Sequence, residues 1–316
     1  MDAFVAAIAS ILLASTPLVF ATIGEAITEK AGVINLSLDG SMMLSAMVGF
    51  GVALTSGSVI LGFAAAALAS MIIALIVAYS SIALRLNQVA VGFVLTLLAT
   101  DLSTFLGNPF VRVQGPSVPP LPIPILKDIP ILGPIFFDQD LLVYASLILI
   151  FVVYWYMFKT RRGLILQGIG ERPEGAYSRG VPVNRLRYLY TAIGGALVGI
   201  GGAAYSLDVK LGWSYHHTSG FGWIALAIVI FGGWHPYRVA FGAYLFGALQ
   251  IVALKLQSVV PNLAQVLPIM PFPLMIFTLT IVYSDRLGKL LDRAPRLRGI
   301  LRSDPPSALG THFEQE

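Results

Sequence analysis

Cysteine is absent from all 316 residues, which removes disulfides, thiolate metal sites and cysteine nucleophiles, while leaving the compartment open. Charge is scarce as well. Asp, Glu, Lys and Arg make up 11% of the chain, against about 25% in soluble domains. No G-x-x-x-x-G-K-[ST] phosphate loop, H-E-x-x-H zinc motif or G-x-S-x-G elbow occurs, so the chain has no standard motif for ATP hydrolysis or for an intramembrane hydrolase. Ser219-Gly220 beside two histidines is too little for a hydrolase. The short alternating segments of a membrane β-barrel are missing too. Met1-Asp2-Ala3 lacks a basic leader, and the apolar block behind it is too long for a signal-peptide core, so it reads as a retained span.

What remains is mostly apolar: 57% hydrophobic residues with a mean hydropathy of +0.82. These residues fall into long blocks, the pattern of an all-α polytopic membrane protein. The blocks are Ala3–Ile23, Ala31–Thr55, Val59–Leu84, Gln88–Gly107, Leu141–Phe158, Tyr188–Leu207, Phe221–Gly233, Val239–Ser258 and Val266–Ser284. They predict about nine transmembrane helices, one or two of them broken or re-entrant. The second block is interrupted near its start by Asn35, Ser37, Asp39 and Gly40; the seventh is short and ends in Gly-Gly-Trp-His-Pro. Paired interrupted segments in the two halves are a sequence sign of a path built from broken helices. Gly195 and Gly199 are spaced for close helix packing.

Sixteen of the 20 Lys and Arg residues fall on one side if the segment 159–187 is cytoplasmic. The positive-inside rule then puts the N-terminus outside and the C-terminus in the cytoplasm. The expected organisation is one transmembrane domain over 1–284. It includes a Pro-rich external loop at 108–140, which cannot be a straight helix, and a cytoplasmic loop at 159–187. A loose, basic cytoplasmic tail over 285–316 follows.

The 159–187 loop carries seven Lys or Arg against two acids, Glu171 and Glu174. Its middle predicts a short helix, with Arg172-Pro173 at the start, Glu174 in the first turn and Gly180 at the stop. Such a loop is either a grip for another protein or a solvated basic segment near anionic lipid. Asn35 and Asp39 lie four apart and either line a passage or act structurally. In the structural reading, which the breaker character of both residues favours, Asp39 caps a helix beginning at Gly40-Ser41. Glu25 is similar, near the cytoplasmic mouth. Asp101, in a span with Gln88, Thr96, Thr100 and Thr104, faces either a solute path or a partner chain. His216-His217 with Asp208 and Tyr215 lacks a third zinc ligand at the right spacing. Trp213, Trp223 and Trp234 read as anchors at the membrane interface, with Trp223 also among the path candidates.

Four runs, in order, resemble the permease subunits of bacterial ABC importers in the branched-chain amino acid, ribose and nucleoside branch. They are residues 21–40 (ATIGEAITEKAGVINLSLDG), 87–92 (NQVAVG), 168–176 with Gly180 (GIGERPEGA), and 222–236 (GWIALAIVIFGGWHP). The nearest type is the nucleoside or simple-sugar permease that works with basic-membrane-protein-type receptors. This chain departs from it at Asp39, Arg172 and Asp101. The resemblance implies import of a nucleoside-like solute or a simple sugar across the cytoplasmic membrane of a prokaryote. It also implies a non-catalytic subunit that binds no cofactor or metal, with ATP-Mg on partner ATP-binding subunits. Further partners are a second, different permease, an external solute receptor and the lipid bilayer, and no nucleic acid. Glu171, Arg172, Pro173, Glu174, Ala176, Arg179 and Gly180 then form the ATPase coupling segment. Glu25, Asn35, Asp39, Gln88, Asp101 and Trp223 are candidates for the path or its broken helices. The alternative is an ion-coupled secondary transporter using Asp101 or Glu25.

Overall fold

In the computed structural model, which describes residues 2–260, 262, 266, 267, 269–282 and 305–314, the apolar blocks become helices and the polar interruptions become their caps. The helices are α1 (Asp2–Lys30), α2 (Leu38–Ser56), α3 (Val59–Ile82), α4 (Gln88–Gly107), α5 (Leu141–Lys159), α6 (Arg161–Glu171), α7 (Pro173–Tyr177), α8 (Val183–Ala204), α9 (Phe221–Gly232), α10 (Pro236–Val259) and α11 (Pro271–Val282). Among the described residues there is no strand, only three isolated bridges, all involving the loops. At four helix starts a short polar side chain satisfies some of the free N–H groups that a helix start leaves. Ser58 Oγ accepts from Leu61 N–H, Asn87 Oδ1 from Ala90 N–H, and Thr160 Oγ1 from Gly163 N–H. Asp140 Oδ1 accepts from Leu142 and Val143 N–H at 2.8 and 2.9 Å.

Seven of the described helices are long and apolar enough to cross a membrane. The chain is thus a polytopic helical membrane protein. Of the nine blocks expected to cross, α9 has only 12 residues. That is roughly 18 Å at 1.5 Å per residue, against a hydrocarbon core of about 30 Å. α11 likewise has 12 described residues.

α2 is the most enclosed span, packed among α3, α4 and α8, whereas α3, α4 and α5 turn most of their apolar surface outward. The larger apolar core joins α1, α9 and α10 with parts of α5, α6 and α8; a second joins α2, α3 and α8. α8 lies close on α3 as its glycine spacing predicted: a Cβ at Gly199 would sit 2.3 Å from the Ala66 carbonyl oxygen. The 108–140 segment is irregular, with short turns of 3-10 and π type.

Several expectations need correction. α1 does not stop at Ile23 but runs on to Lys30, because Glu25 and Glu29 are buried with partners inside the protein rather than exposed as breakers. α2 correspondingly starts at Leu38, after a non-helical stretch that includes Asn35. Trp213 and Trp234 are 2% and 3% exposed, so they are packing residues and not interface anchors. The tail is not loose throughout: residues 305–314 are docked on the body, while 285–304 and 315–316 lie outside the described residues.

Candidate functional site

Two places gather the residues singled out from sequence. The first is the α1–α2 break. Gln88, 5% exposed, accepts Ile34 N–H on its side-chain oxygen at 2.7 Å. Asn35 N–H donates to Glu25 Oε1 at 3.3 Å, and Asn35 Oδ1 accepts from both the N–H and the hydroxyl of Ser37. Thr96 Oγ1 donates to the Leu36 carbonyl at 2.8 Å. These side chains take up backbone groups that an unwound segment inside a membrane would otherwise strand. Gly40 packs on the backbone of Thr96, so α2 begins about halfway along α4.

At that level Asp39 reaches across to another broken element. Its Oδ1 accepts Gly222 N–H at 3.0 Å, and the N–H groups of Gly220 and Trp223 also act on the carboxylate. The acid therefore caps α9 and not its own helix, whose start at Leu38 carries no side-chain cap. Gly220 turns the chain into α9 with φ +86°, a region open to glycine. Gly222 permits the close approach: a Cβ there would lie 2.2 Å from the Asp39 backbone nitrogen. At its other end α9 leads to Trp234, whose indole N–H donates to Glu29 Oε2.

The sequence reading missed Glu29, Trp234 and Gly222 as members of this junction. Glu25 and Glu29 recur four apart, the spacing of one helical face, and that was the available signal. Of the two remaining candidates, Asp101 lies elsewhere, while Trp223 joins the junction by its backbone only. Asp101 is exposed on α4 and Trp223, 38% exposed, rests against the Phe93 ring at 6.3 Å. The histidine pair separates: His216 is exposed with φ 54°, while His217 turns inward. His217 Nδ1 accepts Ser214 N–H at 3.0 Å, which leaves the proton on Nε2 to donate to Ser206 Oγ at 3.1 Å. Burial first, and then the charge of Lys210, pull its pKa down to about 4, so the ring is neutral.

The second place is the 159–187 loop, which holds two helices rather than one. The short helix begins at Pro173 as expected, and Gly180 ends the turn at φ +82°. The preceding α6 was not foreseen because Gly163, Gly168 and Gly170 lower its helix propensity. Gly163 and Gly170, however, sit against the backbones of Met157 and Lys30, where a side chain would not fit. Glu171, Arg172, Glu174, Arg179 and Gly180 are exposed, Ala176 is half-buried and Pro173 is buried. Between α6 and α7 lies a cleft of about 500 Å³ lined by Leu164, Ile165, Arg172, Ala176, Arg179 and Val181 among others.

The docked tail meets this loop. Ser307 donates from both its N–H and its hydroxyl to Glu171 Oε2, at 3.2 and 2.9 Å. Ala308 N–H donates to the Gly170 carbonyl and Gly310 N–H to that of Gly32. Arg187, 1% exposed, donates to the Thr311 carbonyl at 3.0 Å. Phe313 meets the Tyr177 ring edge-on at 5.7 Å, and Glu314 pairs with Arg85 at 2.7 Å. One short segment thus touches α6, α7, α8, the α1–α2 break and the turn after α3.

Two broken elements joined inside a multi-helix membrane body are an arrangement from which many transporters build a solute path. The chain belongs to the family described as the branched-chain amino acid transport system permease component, which matches residues 7–279. It is 32% identical over 308 residues to the nucleoside ABC transporter permease protein NupC of Lactococcus lactis, covering 93% of this chain and 95% of that one. To the guanosine ABC transporter permease protein NupQ of Bacillus subtilis it is 32% identical, covering 85% and 89%. It is 40% identical to a provisionally named glucose ABC transporter permease of Haloferax volcanii, covering 78% and 76%. No solved structure matches the chain.

Proposed function

We propose that this chain is a transmembrane permease subunit of an ATP-driven ABC importer that moves a nucleoside-like solute or a simple sugar across the cytoplasmic membrane of a prokaryote. Family membership, with nucleoside and glucose permeases among the relatives, supports the class. The observation that carries the mechanical part is the exposed α6–α7 shelf, whose outward residues Glu171, Arg172, Glu174 and Arg179 are those expected of a coupling segment.

In this reading 1–284 is one permease domain with the N-terminus outside and the C-terminus in the cytoplasm. Nine crossings follow if α9 and α11 each complete one. ATP-Mg is held by separate ATP-binding subunits that grip α6 and α7, and this chain binds no cofactor. A second, different permease completes the path, and an external receptor delivers the solute. ATPase closure pushes the shelf, and the push reaches the path through α5 and α8, which flank it. Glu25, Asn35, Gln88 and Asp39 act as struts of the broken helices; outward-facing Asp101 meets the partner permease or the path between the two chains.

The test is uptake by the assembled importer in vesicles, comparing wild type with Glu174→Arg. Charge reversal on the shelf abolishes ATP-dependent uptake while the complex still purifies. The buried Glu25 Oε2, which has no hydrogen-bond partner among the described residues, favours one other reading, an ion-coupled transporter. Uptake that persists without any ATPase, or that ignores Glu174→Arg, would replace the importer with that alternative.

A further inference from the structure

A cavity of about 410 Å³ lies among the first half of α1, the π turn Tyr205–Val209 after α8, the 210–220 loop, the start of α9, the second half of α10 and the start of α11. Its volume is within the roughly 300–1,000 Å³ of small-molecule sites. None of the residues singled out from sequence as a path candidate lines it.

Three aromatic rings stand among aliphatic walls that include Leu13, Val209, Ile251 and Leu254. Tyr205 and Phe221 meet edge-to-face at 4.7 Å, and Phe221 and Phe272 do so at 6.3 Å, with Phe246 behind Phe272 at 5.3 Å. A π turn such as Tyr205–Val209 is a rare backbone form that gathers at functional sites. The polar groups are few. Gln250 lines the cavity, and its side-chain amide makes no hydrogen bond to another described residue. His217 presents a neutral ring, already held by Ser206 and Ser214. Lys210 stands 5.9 Å from the centre of the Tyr205 ring.

The cavity sits at the beginning of α9, where a broken helix would normally offer its N–H groups to an anion. Asp39 has already taken that end, so a negatively charged solute finds no open helix terminus and, among the lining residues, only the single ammonium of Lys210, which already stands over the Tyr205 ring. A hexose carries hydroxyls all round, and each one buried against an aromatic wall without a partner is penalised. A nucleoside also brings ribose hydroxyls, for which Ser10, Lys210 and Ser219 are at hand in the lining. It adds what a hexose lacks: a flat base to stack on the rings and polar edge atoms for an amide such as Gln250.

We propose that this cavity is a solute subsite of the translocation path and that it takes an uncharged nucleoside, with the base stacked among Tyr205, Phe221 and Phe272 and an edge bonded to Gln250. This rests on the permease reading and chooses between its two solute classes. The lack of native cysteine makes a direct binding test available. In the assembled importer, Ser219→Cys lines the cavity, and Ser56→Cys, exposed at the end of α2, serves as the control. Maleimide labelling of each is timed with uridine, adenosine, adenosine monophosphate or glucose. Nucleoside slows labelling at position 219 and not at 56, while glucose and the monophosphate have little effect. In vesicles, Phe272→Leu, which keeps apolar bulk but loses the ring, raises the KM for nucleoside uptake about tenfold, the scale of one lost base–aromatic stack. Gln250→Leu raises it as well.

Protection by glucose or the monophosphate in preference to nucleoside would overturn the solute class. Nucleoside uptake with no protection at 219 and unchanged KM in both variants would overturn the site while leaving the permease reading intact. Protection by nucleoside without ATP-dependent uptake would uphold the site and sink the ATP-driven reading instead.

Discussion

The bond between Asp39 and the start of α9 joins the two broken elements of the membrane body. Asp39→Ala removes the acceptor for Gly222 N–H and the carboxylate acting on Gly220 and Trp223, all at a buried position. A lost helix cap costs about 0.5–2 kcal/mol, and a stranded buried donor about 1–3 kcal/mol. Because the two overlap, Asp39→Ala is expected to destabilise by roughly 1–3 kcal/mol. Asp39→Asn keeps an acceptor oxygen and loses about 1 kcal/mol or less. Gly222→Ala attacks the junction from the other side: its Cβ would fall 2.2 and 2.3 Å from the Asp39 backbone nitrogen and Cα. Backbone atoms cannot swing aside, so α9 must shift, and the damage exceeds that of Asp39→Ala. Because both changes break one junction, their effects fall short of additive when combined. The assay is denaturant unfolding of the purified protein in detergent, followed by circular dichroism. An Asp39→Ala protein as stable as wild type, or full additivity in the double variant, would refute the view that this contact holds the halves together.

Two further outcomes are expected. His217 has a folded pKa of about 4, below the ordinary value of about 6.5. The unfolded chain therefore binds a proton that the folded one refuses: stability is unaffected above about pH 6.5 and declines as pH falls from there towards 4, by about 3 kcal/mol at most. His217→Gln flattens that part of the profile, and an unchanged slope would contradict it. Glu171→Ala releases both Ser307 bonds and speeds amide exchange at Ala308 and Gly310, whose N–H groups donate to Gly170 and Gly32; equal exchange in both proteins would show that the tail is held without Glu171.

Much of the fold was legible because a membrane span announces itself by length and apolarity alone. Five long blocks, α3, α4, α5, α8 and α10, fall within five residues of their expected places, and the Pro173 start and Gly180 stop of α7 follow from local backbone rules. The candidate site was legible only in part. Asn35 and Gln88 were flagged as polar residues in apolar surroundings, and they do hold the α1–α2 break together. What each carboxylate touches was not written locally.

Composition and block length by themselves determined a helical, cysteine-free membrane chain with two interrupted segments and a basic loop. Apolarity acts through solvent, so it needs no partner to be read. Tertiary structure alone decided that Asp39 caps α9 across 183 residues of sequence. It also buried Glu29 against Trp234, and it turned ten tail residues into a strap on the 159–187 loop. A hydrogen bond depends on a donor and an acceptor meeting within about 3 Å, and residues so far apart in sequence meet only once the chain has folded.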